Sequence, residues 1–137
     1  MLRSVDINDY MNFRPAKVYA DDSLFDAIDL ITNNHLTGIC VVDHEEMLVG
    51  VLSEMDCLRA ILTATYNNTV DVGTVRDVMT PEVITCNVHD NLVDVANDMI
   101  SKGHRRRPVV ENGRLIGQIS CRQLLRVVSI FNRRNGR

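Results

Sequence analysis

One local pattern occurs twice, and this recurrence constrains the fold more than any other feature of the chain. Gly50-Val51-Leu52-Ser53-Glu54-Met55-Asp56 carries an apolar strand, Met47 to Leu52, into an amphipathic helix running from Glu54 to about Thr65. Sixty-seven residues later, Gly117-Gln118-Ile119-Ser120-Cys121-Arg122-Gln123 repeats the arrangement. A serine marks each junction. Three residues on stands a hydrogen-bonding side chain, a carboxylate in Asp56 and an amide in Gln123. A unit of about 50 residues buries too little surface to be stable alone. Two such units in one chain are expected to pack on each other.

The flanking sequence fills out both copies. Lys17-Val18-Tyr19-Ala20 reads as a short strand, and Asp21-Asp22-Ser23 offers N-caps. Leu24, Ala27, Ile28 and Ile31 then fall on one helical face. Gly38 to Val42 is a continuous β-branched run suited to a strand buried on both sides. After the turn Asp43-His44-Glu45-Glu46 comes the strand ending at Leu52, and then a helix with Leu58, Ile61 and Leu62 as its apolar face. In the second copy, Val83 to Cys86 is the first strand and His89-Asp90-Asn91 the cap. Leu92, Val95, Ala96 and Met99 form the helical face, which ends at Lys102-Gly103. Arg107 to Val110 and Arg114 to Ile119 form a hairpin around Glu111-Asn112-Gly113. The last helix shows Leu124, Val127, Val128 and Phe131 on one side. The expected fold is α+β, built of tandem β-α-β-β-α repeats with pseudo-two-fold symmetry. Its segments are a lead-in over 1–15, a first repeat over 16–66, a linker over 67–74, a second repeat over 75–131 and a basic tail over 132–137. The lead-in is expected to hold one or two helical turns between Val5 and Met11.

Composition narrows the function classes. With 45% hydrophobic and 24% charged residues, the chain reads as an ordinary soluble protein. No apolar run approaches the roughly 20 residues of a membrane helix, and the N-terminus lacks the apolar core of a secretory signal. A cytoplasmic location is the expectation. The four cysteines are widely spaced, with no zinc-ligand pattern, and are expected to be reduced and structural. Residues 1–68 carry 4 basic and 11 acidic side chains, whereas residues 69–137 carry 11 basic and 7 acidic ones. The halves are thus net −7 and net +4, a difference that favours attraction within one chain or across a dimer and could hold an anion on the basic half.

The chain resembles the CBS domain (named after cystathionine β-synthase), and the pair of repeats resembles a Bateman module. The likeness rests on Asp77-Val78-Met79-Thr80-Pro81-Glu82-Val83-Ile84-Thr85, Asn91 to Ala96, Gly103 to Val110 and Leu115 to Ser120. In the first repeat it rests on Asp22 to Ala27, Gly38 to Asp43 and Val49 to Asp56. The order of these stretches, twice over, spans roughly residues 8–131. Two departures stand in the first repeat: the proline of Met11-Asn12-Phe13-Arg14-Pro15 is shifted relative to Met79-Thr80-Pro81, and Cys40 replaces Pro108. The resemblance implies a sensory module rather than an enzyme. It implies a regulatory adenine nucleotide (AMP, ADP or ATP) with no required cofactor, or S-adenosylmethionine or a dinucleotide such as NAD in the same role. It further implies a disc-like homodimer and an effector protein that the sequence does not name.

The resemblance also assigns residues. Ser53 and Asp56 would meet the ribose at a helix start, where free N–H groups favour an anion and a carboxylate suits a pair of hydroxyl donors. Thr80, Ile84, His104 and Arg105 would face the adenine, and His104, Arg105 and Arg106 the phosphates, for which arginine's planar fork is suited. A second cleft would use Ser120 and Gln123 with Lys17, Leu36 and Thr37. It is expected to be empty or weaker, because Gln123 carries no charge. A competing interpretation makes Ser53 with Asp56, and Ser120 with Gln123, plain capping boxes, and His104 to Arg107 a solvated charge run. A ligand-free structural or dimerisation module is the alternative function. Nucleic-acid binding through Arg105 to Arg107, Arg122, Arg126, Arg133 and Arg134 is disfavoured by the acidic balance and the 4% aromatic content. No metal set, P-loop or nucleophile–base pair points to catalysis.

Overall fold

A computed structural model describes residues 2–134; Met1 and Asn135 to Arg137 of the expected tail lie outside the described residues. A 3-10 turn at Ile7–Asp9 is followed by β1 (Lys17–Tyr19), α1 (Leu24–Asn33), β2 (Gly38–Val42), β3 (Leu48–Ser53) and α2 (Glu54–Tyr66). Then come α3 (Val75–Val78), β4 (Cys86–Asn87), α4 (Leu92–Lys102), β5 (Arg106–Glu111), β6 (Arg114–Ser120) and α5 (Cys121–Arg134). The α+β architecture contains two three-stranded sheets, ordered β1-β2-β3 and β4-β5-β6. In each, the first strand runs parallel to the second and the second antiparallel to the third.

Local chemistry explains the helix boundaries. Ser23 accepts from the Phe25 N–H at the start of α1, and Asn91 accepts from Val93 and Asp94 at the start of α4, each satisfying donors that the first turn leaves unpaired. Gly103, left-handed at φ 68°, ends α4. The buried residues of α1 are Leu24, Ala27 and Ile31, and those of α4 are Leu92, Val95 and Met99. Ile39, Cys40, Val41 and Val42 of β2 are all buried, as their unbroken apolar run predicts.

The chain forms two compact units, and neither is a simple half. One contains residues 16–83; the other joins the residues before Ala16 to those from Ile84 onward. In the second of these, Ile7 is fully buried in a cluster with Tyr10, Met11, Leu92, Met99, Val109 and Ile119. Burying such a side chain stabilises by about 1.5–3 kcal/mol. Asn12 exchanges two backbone hydrogen bonds with Gln118, at 2.8 and 3.0 Å. In the other unit, Val75 is fully buried, and Thr80 exchanges two such bonds with Val51, both 2.9 Å. Asn12 therefore plays the part of Thr80, and Met11 that of Met79. A β-carbon on Gly50 would stand 2.6 Å from the Met79 sulfur, and one on Gly117 would stand 2.2 Å from the Met11 sulfur. The shifted proline leaves this contact unchanged.

Three expectations are corrected. The inner face of α2 is Cys57 and Ala64, supported by Ala60, whereas Leu58 and Leu62 are 54% and 60% exposed. The strand expected from Val83 shrinks to Cys86–Asn87, because only these residues pair with β5. Helix α5 continues to Arg134, so the described part of the basic tail is helical.

Candidate functional site

The best-defined polar constellation lies where β3 passes into α2. Ser53 Oγ accepts from the Asp56 N–H at 3.1 Å, and Asp56 Oδ2 accepts from the Ser53 N–H at 3.0 Å. This reciprocal pair is a complete capping box, so the capping interpretation holds for Ser53 and Asp56. The carboxylate does more. Its Oδ2 also accepts from Thr80 Oγ1 at 3.4 Å, and Oδ1 stands 3.4 Å from Arg59. The Asp56 side chain is 12% exposed and lines an open recess of about 450 Å³ with Arg59, Thr63, Asp71 and Asp77. The structure thus brings together Ser53, Asp56 and Thr80. A carboxylate has about four acceptor positions, so it retains capacity for a further donor. Thr80 reaches it because Thr80 pairs with Val51, two residues before the cap.

The matching junction between β6 and α5 is less complete. Ser120 Oγ accepts from the Gln123 N–H at 3.1 Å, but among the described residues the Gln123 side chain shows no return bond from the cap backbone, so the box is half formed. A neutral amide gains less than a carboxylate from the positive end of a helix. The other second-cleft candidates are engaged locally. Lys17 pairs with Glu46, Leu36 packs against the apolar cluster of residues 16–83, and the Thr37 carbonyl accepts the first N–H of α2, from Glu54, at 3.0 Å.

The basic run divides by position along the strand. Arg105 is exposed and Arg106 half-buried; the Arg105 carbonyl accepts the Cys121 N–H at 2.9 Å, the counterpart of the Thr37–Glu54 bond. Arg107 is 3% exposed, so the run is not a uniformly solvated face. Its Nη1 donates to Asp98 Oδ2 at 2.6 Å, its Nη2 lies 3.2 Å from His104 Nδ1, and its buried Nε has no partner among the described residues. Asp98 also binds Lys102. Hydrogen bonds from Lys102 and then Arg107 hold its carboxyl below the ordinary carboxylate range. Ile84, by contrast, is 45% exposed. Nothing in the local sequence pattern joins Asp98 to Arg107. The available signal was the first repeat, which has Leu30 and Ile39 at those positions.

Cys40, Cys57 and Cys86 are buried and Cys121 is exposed, all as free thiols. Burial pushes the Cys86 thiol up to about 11. Among the described residues, no group of three or more His, Cys, Asp or Glu side chains is placed to hold a metal ion, and no helix is long and apolar enough to cross a membrane.

Comparison with known proteins places this geometry. The chain is 32% identical over 103 residues to the uncharacterized protein MJ1225 of Methanocaldococcus jannaschii, which is 75% of this chain and 35% of that protein. It therefore spans about a third of that relative's length. CBSX2 of Arabidopsis thaliana, solved in complex with AMP, superposes with a TM-score of 0.81 at 28% identity, covering 94% of this chain and 99% of that one. The CBS domain pair of protein MJ0100, solved with 5-methylthioadenosine and S-adenosyl-L-methionine, gives a TM-score of 0.71 at 22% identity over 90% of this chain and 98% of that one, a likeness of fold alone. The CBS domain family matches residues 7–63 and again residues 75–130, and with both repeats matched the chain belongs to the CBS domain family, as a CBS pair.

Proposed function

We propose that this CBS pair is a regulatory module that binds an adenosine-containing ligand of the AMP, ADP or ATP class and passes the binding event to a partner protein. The observation that carries the proposal is the Asp56 carboxylate, held by the Ser53 N–H and the Thr80 hydroxyl at the start of α2. So fixed, it can accept from a ribose diol with little further loss of side-chain freedom. Ser53 closes the helix end beside it. The AMP complex of CBSX2, at 28% identity, supports adenosine as the chemistry. Arg105 and Arg106 are assigned to phosphate and Ile84 to the adenine side, on the family resemblance. The Ser120–Gln123 junction, with Lys17, Leu36 and Thr37, is assigned a weaker site or none. The role is regulatory rather than catalytic.

Isothermal titration with AMP tests the proposal. One strong site per chain, lost in Asp56→Ala and weakened in Arg105→Ala and Arg106→Ala, is the expected result. Two equivalent sites would remove the distinction between Asp56 and Gln123. Parallel titrations with ADP, ATP, NAD and S-adenosylmethionine identify the preferred ligand, and heat from none of them would leave a ligand-free dimerisation module.

A further inference from the structure

Two helix faces stand open on this chain, and they are unlike. The caps Ser53 and Ser120 put α2 and α5 in register. Met55, Leu58, Leu62 and Tyr66 on α2 then answer to Arg122, Leu125, Ser129 and Arg133 on α5, and all eight are exposed. The α2 stripe is apolar and borders an open recess with Arg59, Thr63 and Asn67. The α5 stripe is cationic at both ends, and exposed Arg126 widens it into a ridge. Helix α5 has no acidic residue, and among the described residues Arg122, Arg126 and Arg133 have no ion-pair partner. Arg59, the α2 counterpart of Arg126, is paired with Asp56.

The units that carry the two helices are also unlike in charge. Residues 16–83, which include α2, hold 3 basic and 12 acidic side chains, net −9. The rest of the chain, which includes α5, holds 12 basic and 6 acidic ones, net +6. Stripe on stripe brings two strongly acidic units together. Ridge on ridge sets arginine against arginine. Stripe on ridge joins opposite signs, the arrangement that selects a partner and speeds encounter. Its side chains match as well. Arginine stems cover apolar surface while their heads stay in water, the exposed Tyr66 ring offers a face to a guanidinium, and Leu125 supplies an apolar side chain to the recess.

We propose that the α2 stripe of one copy seats on the α5 arginine ridge of a second copy, so that the chain self-associates through unlike faces. Mixed variants test this by native mass spectrometry. Leu58→Lys with Leu62→Lys spoils the stripe, and Arg122→Glu with Arg133→Glu spoils the ridge. All four positions are exposed, and unchanged far-ultraviolet circular dichroism confirms folding. Wild type is expected as a dimer and each variant alone as a monomer at the same concentration. An equimolar mixture is expected to give the heterodimer, in which the intact stripe of the ridge variant meets the intact ridge of the stripe variant and the new lysines face the new glutamates. Sedimentation of wild type gives a second reading. Raising salt from about 0.05 to 0.5 M screens surface charge and should weaken the dimer, whereas pairing of like-charged units should strengthen. A ridge variant that dimerises as well as wild type, a mixture that stays monomeric, a dimer strengthened by salt, or a monomeric wild type would each overturn the proposal.

Discussion

Asp56 serves the fold whether or not anything binds it, and this separates its two roles experimentally. Ser53→Ala removes the cap hydroxyl and should cost about 1 kcal/mol in a denaturant titration while the Asp56 carboxylate stays in place for the ligand. Much larger destabilisation would mean that Ser53 does more than cap. Asp98 gives a pH signature. Its folded value lies below the ordinary aspartate value of 3.8, so its contribution is present above that value and is lost as the pH falls below it toward the folded value. Thermal melts of wild type and Asp98→Asn should therefore differ above that window and converge in stronger acid. Curves that stay parallel through acid would show that the Lys102 and Arg107 pairings contribute nothing.

Among the elements, the helices that could be read from sequence are those whose apolar residues are also their buried ones. In α1 and α4, Leu, Ile, Val and Met at 3.6-residue spacing meet the sheet. Helix α2 misleads because its inner face is small, Cys57, Ala60 and Ala64, while the bulkier Leu58 and Leu62 point outward. Periodicity weighs hydrophobicity and cannot tell a close-packed inner face from an outer one awaiting a partner. The pairings of Asn12 with Gln118 and Thr80 with Val51 were illegible for another reason. They are single bridges between distant segments, without a strand-length pattern to announce them. Their consequence is testable. Gly50→Ala and Gly117→Ala each push a β-carbon into a methionine sulfur and a backbone carbonyl, and each should destabilise by about 1–3 kcal/mol in denaturant titration. A neutral effect at both would mean that the segments carrying Met11 and Met79 are not locked at these sites. Thiol labelling reads the same packing: Cys121 should react quickly while Cys40, Cys57 and Cys86 wait for unfolding.

For the molecule as a whole, the repeat order gave the fold class, and the Ser53–Asp56 motif gave the centre of the candidate site. The buried Arg107 was hidden because its burial depends on Asp98, nine residues upstream, and a run of three arginines looks solvated on its own. The exposed stripe Met55, Leu58, Leu62 and Tyr66 on α2 borders a recess of about 480 Å³, and an apolar surface of this kind supports the expected homodimer. Native mass spectrometry should show a dimer, and Leu58→Glu with Leu62→Glu should give monomer. A wild-type monomer would assign the stripe to another partner.

The central claim, that Asp56 holds an adenosine ligand, is tested most directly by thermal unfolding with and without AMP in wild type and Asp56→Ala. Mass action predicts about 2.7 kcal/mol of added stability for wild type at a hundredfold excess over the dissociation constant, and no AMP-dependent shift in the variant. An equal shift in both proteins, or none in wild type, would contradict the account.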